Sequence, residues 1–184
     1  VTQQSILDFD PNGIILSGGP ASVTDIDTPR APDEIFDMDL PILGICYGQQ
    51  TMVEQMGGKV AGSEEKEFGR AIVTVTDDCE LFHGVWDVGN EEQVWMSHGD
   101  RVEMLPDGFR IVGTSENAPY AAIAHDEKKF YAVQFHPEVV HTPHGAQLLE
   151  NFTHRVAGCG GDWTMAAFKE QEIAKVREQV GDGK

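Results

Sequence analysis

The sequence predicts an α/β fold: a mostly parallel central sheet with helices on both faces, continued by an antiparallel strand extension. Three observations predict it. The apolar runs "NGIILSGGP" (12–20) and "PILGIC" (41–46) are continuous rather than alternating, as in strands covered on both faces. A helical pattern with a glycine stop follows the second of them. Short β-branched and aromatic runs then crowd residues 70–136, with only short polar turns between them.

Taken in order, "NGIILSGGP" reads as a buried strand ending in a Gly-Gly-Pro turn. "TPRAPDEIFDMDL" (28–40) reads as a loop and short helix, and "PILGIC" as a second buried strand. "GQQTMVEQMGG" (48–58) places Met52, Val53 and Met56 at helical spacing and stops at Gly57-Gly58. "RAIVTVT", "EQVWMSH", "FRIVGTS", "YAAIAHD" and "KFYAVQFH" read as strands, and "GAQLLENFTHRVAG" (145–158) as an amphipathic helix. Glycines at 158–161 mark a boundary, which divides the chain into residues 1–158 and 159–184. The second segment is a helix with Phe168, Ile173, Val176 and Val180 along one side.

The chain has 184 residues, enough for one domain with a full core, and no run approaches the ~18 apolar residues of a membrane helix. No basic-then-apolar leader opens it, which argues against secretion and for the cytoplasm. A formal charge of −18 repels nucleic-acid backbones and anionic membranes, so neither is an expected partner. Cys46, Cys79 and Cys159 lie far apart, with neither an even count nor zinc-ligand spacing; this fits a reducing compartment and no metal.

Cys46 stands between Gly44 and Gly48 where the second strand turns into a helix. This is the form of a nucleophile elbow with cysteine in the place of serine. A sharp strand-to-helix turn holds its apex residue in a strained conformation, and flanking glycines remove colliding Cβ atoms. The helix N-terminus beneath favours a thiolate and an oxyanion. The alternative is an inert buried cysteine. A base is at hand in "QFHPE": His136 and Glu138, at i and i+2 of an extended segment, share a face, so Glu138 can orient the His136 ring. The alternative for His136 is a strand-end histidine bonded to a loop. Gly18-Gly19-Pro20 ends a strand at the same sheet edge, where a glycine can present its N–H to an oxyanion.

"SGGP", "GICYGQQ" and "FHPE", in that order, resemble the class I (triad) glutamine amidotransferases. The resemblance implies hydrolysis of L-glutamine to glutamate and ammonia, with Cys46 as nucleophile, His136 as base then acid, and Glu138 orienting it. It implies an oxyanion hole at the N–H groups of Gly19 and Tyr47. It places glutamine binding at Gln50 and at an "SHGD" loop, Ser97, His98, Gly99 and Asp100. Within that family, "EFGRA", "VWMSHGD", "HPEVVHTPHG" and the tail helix are most similar to the amidotransferase domains of GMP synthases. That implies a partner ATP-pyrophosphatase domain, which uses ATP and Mg²⁺ to aminate XMP; the amidotransferase domain itself needs no cofactor. It also implies a strand–helix unit ahead of "SGGP" that this sequence lacks. The sheet is therefore expected to be distorted there, or completed by a second copy of the chain.

Other readings keep the chemistry but change the acceptor, to anthranilate, carbamoyl phosphate or CTP synthesis. A non-catalytic interaction module and a peptidase are further alternatives. His141 and His144 read as loop and helix-capping residues rather than metal ligands, and His83 and His125 as surface or strand-end residues. Cys79 and Cys159 read as inert, Trp86, Trp95 and Trp163 as core or interface, and Glu64–Phe68 as a solvated turn, for which the resemblance implies a place near the glutamine entrance and, as the alternative, a gating role.

Overall fold

The computed structural model describes residues 2–161 and 165–181, the side chains at 63–66, 165–167 and 171 excepted. Trp163 falls outside them. Two parallel strands, β1 (Ile14–Leu16) and β2 (Ile42–Ile45), start a seven-stranded sheet that runs on through β7 (Phe130–Val133), β6 (Ala122–His125), β5 (Arg110–Thr114), β3 (Lys59–Val75) and β4 (Glu91–Met104). β2 and β7 are also parallel; every pairing from β7 to β4 is antiparallel. The sheet is thus mixed, not mostly parallel. The physical reason lies in the connections: short polar turns join the later strands, and a parallel crossover needs a dozen or more residues.

β2, β6 and β7 are buried at every residue, as their continuous apolar runs predict. Alternate residues feed two cores. Ile42, Phe130, Ala132 and Ile123 pack with Met52 and Val53 of α2 (Tyr47–Gln55) and with Ile35 and Phe36 of a short 3-10 turn. Leu43, Ile45, Tyr131 and Val133 face Leu148 of α3 (Gly145–Glu150), Phe152 beyond it, and the Phe82–Trp86–Phe135 aromatic cluster. Helices therefore cover both faces. The helix predicted over 145–158 is α-helical to Glu150 and then widens into a π-helical stretch, Asn151–Val156.

Four local readings change. Glu64–Phe68 lies within the 17-residue strand β3 and is not a turn; Glu67 and Phe68 pair with β4, and the register shifts between Gly62 and Glu67. "SHGD" is not a loop; it continues β4, with Ser97 opposite Phe68 and His98 opposite Glu67. His144 occupies the N-cap position of α3 without a side-chain cap bond, and its Nδ1 instead faces Glu92 Oε2 at 3.3 Å. The distortion expected beside β1 is absent: β1 pairs in regular register with β2, at the sheet edge, after a short exposed helix, α1 (Gln3–Phe9).

Beyond the sheet, α4 (Met165–Val180) leaves Ile173, Val176 and Val180 exposed. No helix among the described residues is long and apolar enough to cross a membrane.

Candidate active site

The carboxyl ends of β1, β2 and β7 meet the middle of β4 around a half-open cavity of about 690 Å³. Its lining includes Gly19, Cys46, Gln50, Ser97, His98, Gly99, Asp100 and His136. Of the predicted site residues, Glu138 and Tyr47 stand behind this wall. Glu138 reaches His136, and Tyr47 turns its hydroxyl away to donate to Pro29 O at 2.6 Å.

Cys46 ends β2 at φ 52°, ψ −107°, a conformation L side chains rarely adopt. Its N–H donates to Val133 O at 2.8 Å, which ties the apex to β7. Packing explains the flanking glycines. A Cβ on Gly44 would lie 2.8 Å from Gly48 O, and one on Gly48 only 1.9 Å from Leu16 O. Close approach of α2 to the strands, more than backbone freedom, is what both positions require.

The Cys46 thiol donates to Ser97 O at 3.5 Å and accepts from Gln134 Nε2 at 3.7 Å. Burial pushes its pKa up to about 11; the Tyr47 N–H pulls it down, the Glu138 carboxylate raises it and the Gln134 amide lowers it. The helix N-terminus was expected to favour a thiolate. Such a terminus contributes about 0.3–1 kcal/mol, too little here to offset desolvation, so the resting thiol is protonated.

His136 is fixed from three sides. Its N–H donates to Trp95 O at 2.9 Å, its carbonyl accepts from Thr142 Oγ1 at 2.7 Å, and its Nδ1 meets Glu138 Oε1 at 2.7 Å. The same Thr142 oxygen accepts the Trp95 N–H at 3.1 Å. With Nδ1 held by a carboxylate, the ring carries its proton there and presents Nε2 as an acceptor. Nε2 is buried and without a partner among the described residues. Both the ring and the cysteine lie close to Gly18: a Cβ there would be 3.0 Å from His136 Cε1 and 3.7 Å from Cys46 Cβ.

On the far wall, Gln50 Nε2 donates to Asp100 O at 2.8 Å and to Gln134 Oε1 at 3.2 Å. His98 is buried with both ring nitrogens engaged, Nδ1 by Asp100 O at 3.0 Å and Nε2 by Glu67 Oε2 at 3.1 Å. Its ring therefore braces β3 against β4. Ser22 Oγ donates to Asp100 Oδ2.

Sequence reasoning missed Ser22, Thr142 and Gln134, and the bond of Glu67 to His98. Gln134 had a signal, as the one amide inside the otherwise apolar run "YAVQF". Thr142 and the Glu67–His98 bond had none, because each depends on a partner distant in sequence. His141 stacks on Trp95 with centroids 4.5 Å apart. No cluster of three or more metal-ligating side chains exists among the described residues. A larger cavity, about 800 Å³, opens elsewhere between Cys79, Trp86 and Arg110. Its guanidinium groups are already paired, Arg110 with Asp77 and Asp126, Arg155 with Glu80.

A model of class I glutamine amidotransferases matches residues 1–156. The chain is 60% identical over 176 residues to the glutamine-hydrolyzing GMP synthase of Brucella melitensis biotype 1, covering 96% of this chain and 35% of that protein. The Brucella ovis enzyme of the same name is equally similar, with 34% of its length covered. The chain thus spans about a third of the length of these curated relatives. Among solved structures, a Thermoplasma acidophilum protein provisionally described as part of a GMP synthase aligns with a TM-score of 0.62 at 32% identity, over 76% of this chain and 64% of that one. A glutamine amidotransferase from Methylobacillus flagellatus aligns with a TM-score of 0.60 at 26% identity, over 71% of this chain and 53% of that one.

Proposed function

The chain belongs to the class I glutamine amidotransferase family, and from that premise we propose that it hydrolyses L-glutamine to supply ammonia to a GMP synthetase. The observation that carries the chemistry is that a strained, buried Cys46 and a His136 ring held by Glu138 line the same cavity, both close to Gly18. Glutamine enters the cavity beside Gln50, Ser97, Gly99 and Asp100. The thiol turns from Ser97 O toward His136 Nε2, which takes its proton. The sulfur attacks the side-chain amide carbon, and the oxygen takes up the negative charge facing the N–H groups of Gly19 and Tyr47. The imidazolium gives its proton to the departing nitrogen, and ammonia leaves an acyl-thioester. Water, deprotonated by the same ring, attacks the thioester, and glutamate and the thiol are regenerated.

Two features support the acceptor. Relatives at 60% identity carry the name GMP synthase, and α4 follows the amidotransferase segment with apolar residues exposed. In this reading residues 159–184 lead to an ATP-pyrophosphatase domain, and ATP and Mg²⁺ act there. The runner-up reading keeps the glutaminase and changes the acceptor.

Ammonia release from glutamine by the chain, alone and with a GMP synthetase domain, XMP, ATP and Mg²⁺, tests both parts. The expected result is slow release alone and stimulation by the loaded synthetase. Release without stimulation would favour another acceptor; no release under either condition would overturn the reading.

A further inference from the structure

Gln134 lies directly after β7, is 1% exposed, and bonds the side chains of both Cys46 and Gln50, which stand one turn apart at the start of α2. Its backbone N–H donates to Ala121 O at 2.9 Å, so the residue is anchored to the neighbouring strand segment before its side chain is used. Its Nε2 then donates to Cys46 Sγ at 3.7 Å, and its Oε1 accepts from Gln50 Nε2 at 3.2 Å. An amide is the side chain suited to this place, since it has a donor and an acceptor on one planar group. Buried among Cys46, Gln50 and β7, it would be costly if left unpaired.

We propose that Gln134 is a positioning residue that holds the Cys46 sulfur and the Gln50 amide in one fixed relation, so that the nucleophile and the glutamine-holding wall are set as a unit. This rests on the reading of Cys46 as the nucleophile. Each end of the amide has a distinct consequence. The N–H end favours the thiolate over the thiol, and with the Tyr47 N–H it opposes the burial that keeps the sulfur protonated. The Ser97 carbonyl acts in the opposite sense, accepting from the thiol and offering nothing to the anion. The C=O end keeps Gln50 turned toward Asp100 O, with its amide shared between the two. The titratable groups around the sulfur are His98 and Asp100 on β4, Glu67 on β3 behind His98, and His136 with Glu138 after β7.

Two variants separate the two ends. Gln134→Glu keeps an acceptor for Gln50 and removes the donor to sulfur; Gln134→Met keeps the volume and removes both. Iodoacetamide alkylation of Cys46, followed across pH by peptide mass spectrometry, reads the thiol without needing glutaminase activity. Thermal melts check that each variant is folded. Both variants are expected to shift the alkylation profile to higher pH, with the rate near neutrality falling about tenfold. The kcat for glutamine is expected to fall in both, and KM to rise more in Gln134→Met than in Gln134→Glu. Alkylation profiles that superimpose on the parent's in either folded variant would overturn the proposal. Failure of the glutaminase reading would look different: the parent would release no ammonia while its Cys46 alkylation still depended on Gln134.

Discussion

Replacing His136 with alanine is expected to lower glutamine hydrolysis about a thousandfold while leaving the fold intact. The ring lines the cavity, and its backbone, not its side chain, makes the bonds to Trp95 and Thr142. Loss of the imidazole removes the group placed to take a proton from a thiol that burial keeps protonated, with a pKa of about 11. Without it the thiolate fraction near neutrality is very small. Activity of the variant should then rise with pH as the thiol ionises by itself, whereas the parent's should not need alkali. Glu138→Gln is expected to cost less, about tenfold to a hundredfold, because the Glu138 side chain is 45% exposed and water screens its charge on the ring. Steady-state kinetics of ammonia release from about pH 6 to 10 would check both. Equal losses in the two variants would contradict the division of roles.

The second large effect is structural. Gly48→Ala is expected to destabilise the chain by about 3 kcal/mol and to abolish hydrolysis. The added methyl would sit 1.9 Å from Leu16 O, 2.6 Å from Leu16 C and 2.9 Å from Leu16 Cβ. Leu16 is in β1, in register with Gly44 of β2, so the only relief is to lift α2 from both strands. That would move Cys46, which caps α2, and Gln50, which lies one turn into it. Gly57→Ala at the other end of the helix is the control. Gly57 has φ +92° but no atom within 4 Å of a Cβ, so its cost is conformational and about 1 kcal/mol. Denaturant unfolding of the two variants separates a collision from a backbone preference. Equal losses would show that close approach is not what Gly48 provides.

These two substitutions also mark what the sequence made legible. Gly44, Cys46 and Gly48 could be read as an elbow because strand, turn and helix are local, and the same holds for His136 and Glu138 at i and i+2. The buried strands were legible from continuous apolar runs. Pairing direction was legible in part: the later strands were expected to form an antiparallel extension and do, yet the parallel portion is confined to β1, β2 and β7 and is not most of the sheet. The extent of β3 and β4 was hidden for another reason. "EEKEF" and "SHGD" are polar, and polar residues in strands at the rim of a cavity have no alternation to reveal them. Once paired, Glu67 meets His98, and the buried ring braces one strand against the other. Gln134 and Thr142 escaped notice because their partners, Gln50, Cys46 and Trp95, are brought near only by the sheet.

The claim on which the rest depends is that Cys46 is a nucleophile inside a glutamine-shaped cavity. Intact-mass analysis after incubation with a diazo-ketone analogue of glutamine tests it most directly, with Cys46→Ala as the control. The analogue delivers its reactive carbon where the amide carbon of glutamine would lie, so reaction demands recognition and a competent thiol together. The account predicts one adduct per chain, located on Cys46, lost in Cys46→Ala, and suppressed by excess glutamine. Labelling that persisted in Cys46→Ala, or a parent chain left unlabelled while folded, would contradict it.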